Sequence, residues 1–306
     1  MWLGGYVGNS ASANLNKNGV LKVGTVTIDE TSTGNYSGRI WLHGYGSSGE
    51  ALTTYIGAGG LNFNSKSKGY FGVENNKHAS TIRPWNSDFT IGRGANENYD
   101  FMLKGAAIDF SIHTTDEDGV ARTVTLDGRF TTEAHTDTTI TVKGTGTNVV
   151  NSVSPLMVGT YAVADTATVV LNNGAGFANG TVSVGATATL AVGESGTASV
   201  GNLTLAAGAK LGFIFTDRQT VPVLALSEGG NVAFTGEDEP NISVKISGDV
   251  RPVGGLKVLT TGGGFGGTAV TLAAGAPEWA QGRLSVNADG NIVLDVKPMG
   301  TMVIVR

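Results

Sequence analysis

Between residues 139 and 234 one pattern of apolar and small polar positions returns five times at a spacing of 21 residues. The copies are 139–150 (TITVKGTGTNVV), 160–171 (TYAVADTATVVL), 181–192 (TVSVGATATLAV), 202–213 (NLTLAAGAKLGF) and 223–234 (VLALSEGGNVAF). Each places apolar residues at its second, fourth, tenth and twelfth positions, and Asn148 alone breaks the rule. Apolar residues two apart, such as Val182 with Val184 and Leu190 with Val192, match the alternation of a strand and miss the spacing of a helix. The spacer between each pair is rich in Gly, Ala, Asp and Thr, which suits a corner. Every copy therefore predicts strand, corner, strand and a nine-residue return.

A strict period near 20 residues without a helical segment predicts a solenoid of stacked parallel strands. Leu171, Val192, Phe213 and Phe234 would form one interior ladder, and Tyr161, Val182, Leu203 and Leu224 another. One coil buries too few side chains to offset the ordering of its backbone, so stacking must stabilise it and the end coils need caps. Strand, short loop, strand is also the signature of a hairpin. An antiparallel sandwich or barrel seldom holds one period over five copies, which favours the solenoid.

Outside the repeat the strand pattern persists with uneven spacing. Strands are predicted at 20–23, 25–28, 39–42, 61–63, 70–73, 89–91, 107–112 and 123–126, and after the repeat at 242–246, 256–259, 269–272 and 302–305. Residues 283–294 (RLSVNADGNIVL) restate the phrase once more, with Asp289-Gly290 as its turn. One continuous domain is expected: irregular coils over 1–130, regular coils over 131–236, and C-terminal coils with a cap over 237–306.

Composition agrees with this picture. The 306 residues include 47 Gly, 7 Pro and no Cys, with 40% hydrophobic residues, too many for a disordered chain. Absence of cysteine excludes disulfides, zinc–thiolate sites and a cysteine nucleophile. The net charge is −5 and the 20 basic residues are scattered, which disfavours nucleic acid and anionic lipid as partners. No apolar run is long enough for a membrane-spanning helix, and the opening MWLGGYVGNSAS does not read as a signal peptide.

The wording becomes specific at 171–190 (LNNGAGFANGTVSVGATATL), through Gly174, Phe177, Gly180, Thr181, Val182, Val184, Gly185, Ala186 and Leu190. This stretch resembles the autotransporter-associated β-strand repeat of bacterial surface proteins. The resemblance implies an all-β fold, a single-stranded right-handed parallel β-helix, on secreted or surface-displayed regions. The roughly 60 residues after the repeat are too few for an outer-membrane translocator barrel, so self-translocation is not expected.

Candidate chemistry is sparse. The acidic triplets 116–118 and 237–239 sit beside turn residues, but neither has the spacing of a calcium loop. His43, His78 and His113 are 35 apart in unlike contexts and form no metal motif. A polysaccharide-cleaving groove would have to use Arg83, Asp88, Arg93, Glu97 and Asp100, because the repeats turn mostly Thr, Ser and Ala outward. Residues 262–267 (GGGFGG) lack the lysine and helix of a phosphate loop and read as a corner. Exposed aromatics can stack on sugars, and Trp41, Tyr45, Trp85 and Tyr99, with Tyr55, are the candidate carbohydrate contacts.

These features predict a non-enzymatic secreted or cell-surface β-helix, structural or adhesin-like, in contact with surface glycans or other surface macromolecules. No catalytic residue, metal or cofactor is expected. The alternative is a polysaccharide-cleaving β-helix, a lyase or tailspike-like hydrolase.

Overall fold

The computed structural model describes residues 11–15, 20–28, 39–44, 52–63, 70–74, 80–95 and 100–297, apart from 106, 173, 194–195, 237–240, 249 and 282. The chain winds as a parallel β-helix with three strand ladders, each the face of a triangular coil. The first face carries the segments Thr139–Lys143, Thr160–Val163 and 181–184, in which Ile140, Tyr161 and Val182 lie in register. The second carries Thr147–Val150, Thr168–Leu171 and Thr189–Val192, with Val150, Leu171 and Val192 in register.

The third face is built by the predicted returns, which are themselves extended. Gly176 and Phe177 pair with Ser199 and Val200, which pair in turn with Ala225 and Leu226. Their signal is short: Ala175 and Phe177, or Ala198 and Val200, alternate over only three residues but are fully buried. Among the irregular coils the third face comprises Ala11–Leu15, Arg39–Gly44, Tyr70–Glu74, Phe101–Lys104 and Phe130–Thr131.

Parallel stacking brings like side chains together inside. Phe71, Phe101 and Phe130 form an aromatic column with ring centroids 5.1 and 4.9 Å apart, and Tyr161 stacks on Phe177 at 4.3 Å. The anomaly of the pattern, Asn148, is fully buried. Its Nδ2 donates to the Val124 carbonyl at 2.8 Å, and its Oδ1 accepts from the Tyr161 hydroxyl at 2.6 Å. Two polar groups forced inward thus satisfy each other, and burial pushes the Tyr161 phenol well above its ordinary pKa.

The fifth copy departs from the expected register. Leu203 pairs with Val232 in place of Leu224, and Leu224 pairs with Ala198 on the third face. Likewise Phe213 stands beneath Ile246 and not Phe234. The strand–corner–strand phrase has slid one face around the coil. Residues 215–222 (FTDRQTVP) lengthen the return, and Asp217 closes a turn there by accepting from the amides of Gln219 and Thr220. The phrase specifies two strands and a corner, and which faces they occupy depends on the chain between copies.

The 283–294 phrase is not a further coil. Leu284–Val286 and Ile292–Val296 pair antiparallel, and Gly255–Val258 adds to the same small sheet. Asn287 turns this hairpin by accepting from the amides of Asp289 and Asn291. Without a parallel strand to stack on at the same register, the phrase folds back on itself and covers the last rung, Ala269–Leu272. The expected strand at 302–305 lies outside the described residues. Strand pairing crosses residue 131 on the first and second faces, and residue 236 on the second and third.

Candidate functional site

The repeats expose little chemistry. On the outer side of the first face Thr139, Thr160, Thr181 and Asn202 stand in register, as do Thr141, Ala162, Ser183 and Thr204. The irregular coils differ at the next outward column. Lys22 pairs with Tyr55, Tyr55 with Arg83, and His113 with Lys143, while Arg83 and His113 each follow the paired Ile82 and Ile112 by one residue. These five side chains therefore occupy successive rungs about 4.8 Å apart. They point outward because their neighbours Val23, Ile56, Ile82, Ile112 and Val142 are buried in the core. Where the column reaches the regular coils it carries small residues, as at Ala206 and Thr235.

Residues 114–122 leave the coil after Asp109–His113 and fold back along this column. Thr115 and Ala121 bridge antiparallel at the base of the loop. Arg83 donates from Nε to the Thr115 carbonyl at 2.8 Å and from its terminal nitrogen to the Asp116 carbonyl. Lys22 forms an ion pair with Glu117, joining two distant parts of the chain. The Lys22 ammonium also lies 5.1 Å from the Tyr55 ring centroid and 5.9 Å from that of Trp85, while the Arg83 guanidinium stands 5.8 Å from the Tyr55 ring. Trp85 is held at the adjacent corner by its amide, which donates to the Ile56 carbonyl at 2.8 Å.

The carboxylates nearby have structural partners. Asp116 is fully buried and accepts from the amides of Val120 and Asp118 and from the Arg122 guanidinium at 2.7 Å. Burial would raise its pKa, but the Val120 amide and Arg122 hold it below the ordinary value. Asp100, also buried, caps the amides of Gly94 and Arg129 at 2.8 Å each, and Asp88 caps that of Thr123. Within the 116–118 triplet Asp116 is thus committed to its loop and Glu117 to Lys22, and no group of three metal-ligating side chains occurs among the described residues. Residues 237–239 lie outside them.

His113 sits between the two cations of its column. Burial first, then the charges of Arg83 and Lys143, bring its pKa down to about 4, against the raising effect of Asp165. Its Nδ1 is buried without a hydrogen-bond partner. The other two histidines of the spaced trio have no described side chain.

Of the four aromatic residues expected to contact carbohydrate, Trp85 is described and half-buried. Trp41 lies in the strand Arg39–Gly44, but its side chain, like Tyr45 and Tyr99, falls outside the described residues. Tyr55 has two cations near its ring and Trp85 has one near its own, so the two aromatics join a charged cluster. Arg93 is exposed, while Glu97 is outside the described residues. Lys22 carried no sequence signal, because the unequal spacings that align the column follow no period, and Glu117 stood out only as a member of the acidic triplet 116–118. Comparison with protein-family models gives no match, and no curated protein matches the chain.

Proposed function

We propose that this protein is a non-enzymatic β-helical rod of the secreted or bacterial cell-surface kind, spacing or displaying contact elements in the manner of an adhesin segment. The observation that carries the reading is the unbroken first-face ladder, nine strand segments from residue 20 to residue 235. At about 4.8 Å per rung it runs roughly 38 Å along the axis. Such a stack resists bending, because successive coils are tied together by backbone hydrogen bonds along their ladders. The resemblance of residues 171–190 to the autotransporter-associated repeat supports the surface location.

The carboxylates of the irregular coils support the non-enzymatic reading over polysaccharide cleavage. Asp88, Asp100 and Asp116 each cap backbone amides, whereas a general acid or base must be free to meet the substrate. Surface glycans are the proposed contacts, with Trp85 as the residue to test. A glycan array on the wild type and Trp85→Ala, beside a reducing-sugar release assay, checks both halves of the proposal. Sugar release that disappears in Asp88→Asn would overturn the non-enzymatic reading.

A further inference from the structure

We propose that Tyr55, Trp85 and Glu117 form a receptor for small quaternary ammonium groups, and that the chain's own Lys22 is its resident plug. Three features of a cation receptor meet at one point: two aromatic rings within 6 Å of the ammonium, and a carboxylate in contact with it. The three groups come from separate parts of the fold. Tyr55 is on the strand Leu52–Phe63, Trp85 at the corner after Ser80–Pro84, and Glu117 on the folded-back loop. The loop holds its place independently of Lys22, because Arg83 grips the Thr115 and Asp116 carbonyls and Arg122 grips the Asp116 side chain. Removal of the lysine therefore leaves the walls standing.

The plug is also open to exchange. The Lys22 and Glu117 side chains are 39% and 28% exposed, so the ion pair is reached and weakened by solvent. A primary ammonium is strongly hydrated and bonds best to water and carboxylate. A tetraalkylammonium donates no hydrogen bonds, and its diffuse charge gains most from aromatic faces, which suits two rings and one carboxylate. Its competitor is the tethered lysine, whose local concentration is of millimolar order. The inference is independent of the rod reading, since it concerns one cluster and not where the rod is displayed.

The test is a titration of wild type, Lys22→Ala and Lys22→Ala/Trp85→Leu with tetramethylammonium, followed by the upfield ring-current shift of its methyl protons. Circular dichroism reports the fold of each variant, and Lys22→Met, which keeps an apolar stem over Tyr55, replaces Lys22→Ala if the latter unfolds. Saturable binding with a dissociation constant of about 1–10 mM is expected once the plug is removed. Binding should be roughly tenfold weaker in wild type and weaker again without Trp85. Absence of saturable binding in a folded plug-free variant, or equal binding with and without Trp85, overturns the proposal.

Discussion

Asn148 and Tyr161 offer the sharpest test of how the interior is satisfied. Tyr161→Phe keeps the ring that stacks on Phe177 at 4.3 Å but removes the hydroxyl, leaving the buried Asn148 Oδ1 without its 2.6 Å partner. An orphaned buried acceptor costs about 1–3 kcal/mol. Asn148→Val orphans the Tyr161 hydroxyl and also withdraws the donor from the Val124 carbonyl, with a cost of the same order. The double variant removes both polar side chains together, so it should lie within about 1 kcal/mol of the milder single variant, a coupling of roughly 1–3 kcal/mol. Because coils of a solenoid can open locally, the measurement is hydrogen exchange of the Val149 and Ala162 amides, supported by guanidinium unfolding. Additive single effects would refute the claim that the two residues satisfy each other.

Inward and outward assignment is checked by Val184→Asp, which buries an unpaired charge and should destabilise by several kcal/mol, against Ser183→Asp next to it, which should change stability by less than about 0.5 kcal/mol. The shifted register of the fifth copy predicts that Ser199→Cys with Ala225→Cys forms a disulfide on mild oxidation, whereas Thr204→Cys with Ala225→Cys, the pair that the repeat spacing alone would align, does not; mobility on non-reducing gels reads the outcome. His113 has a folded pKa below its unfolded value, so it disfavours the native state as pH falls below about 6.5 and the effect is complete near 4. Its half-exposed position reduces the loss to about 1–2 kcal/mol between pH 7 and 5. His113→Gln should flatten stability across that interval, and an unchanged pH profile would rule the residue out.

Much of the β-helix was legible because parallel stacking repeats an environment, and a repeated environment selects repeated residues. The alternation of Val182 with Val184 gives the strand, and its return one period later at Leu203 with Leu205 gives the ladder. Both are local or strictly periodic signals. Asn148 stood out for the same reason, as a polar residue where every sister copy is apolar. In the irregular coils the third-face strands at 39–44 and 70–74 were legible, but in the regular coils that face was not, since its inward alternation spans only three residues, as at Phe177, and is hidden among glycines.

Sequence by itself determined that the chain forms short strands and corners, and which side of each strand in the first four copies faces inward, because these follow from alternation within a few residues. Tertiary structure decided what each strand meets. The same phrase became two rungs at 181–192, slid by a face at 223–234 and folded into a hairpin at 284–296, as the intervening chain length and the available neighbour dictated. The column of Lys22, Tyr55, Arg83 and His113, and the loop that folds back onto it, likewise arise from register between coils of unequal length. Register is a property of stacking: backbone hydrogen bonds between rungs are alike for every sequence, so side-chain packing and loop length choose among alignments that a strand pattern alone leaves equivalent.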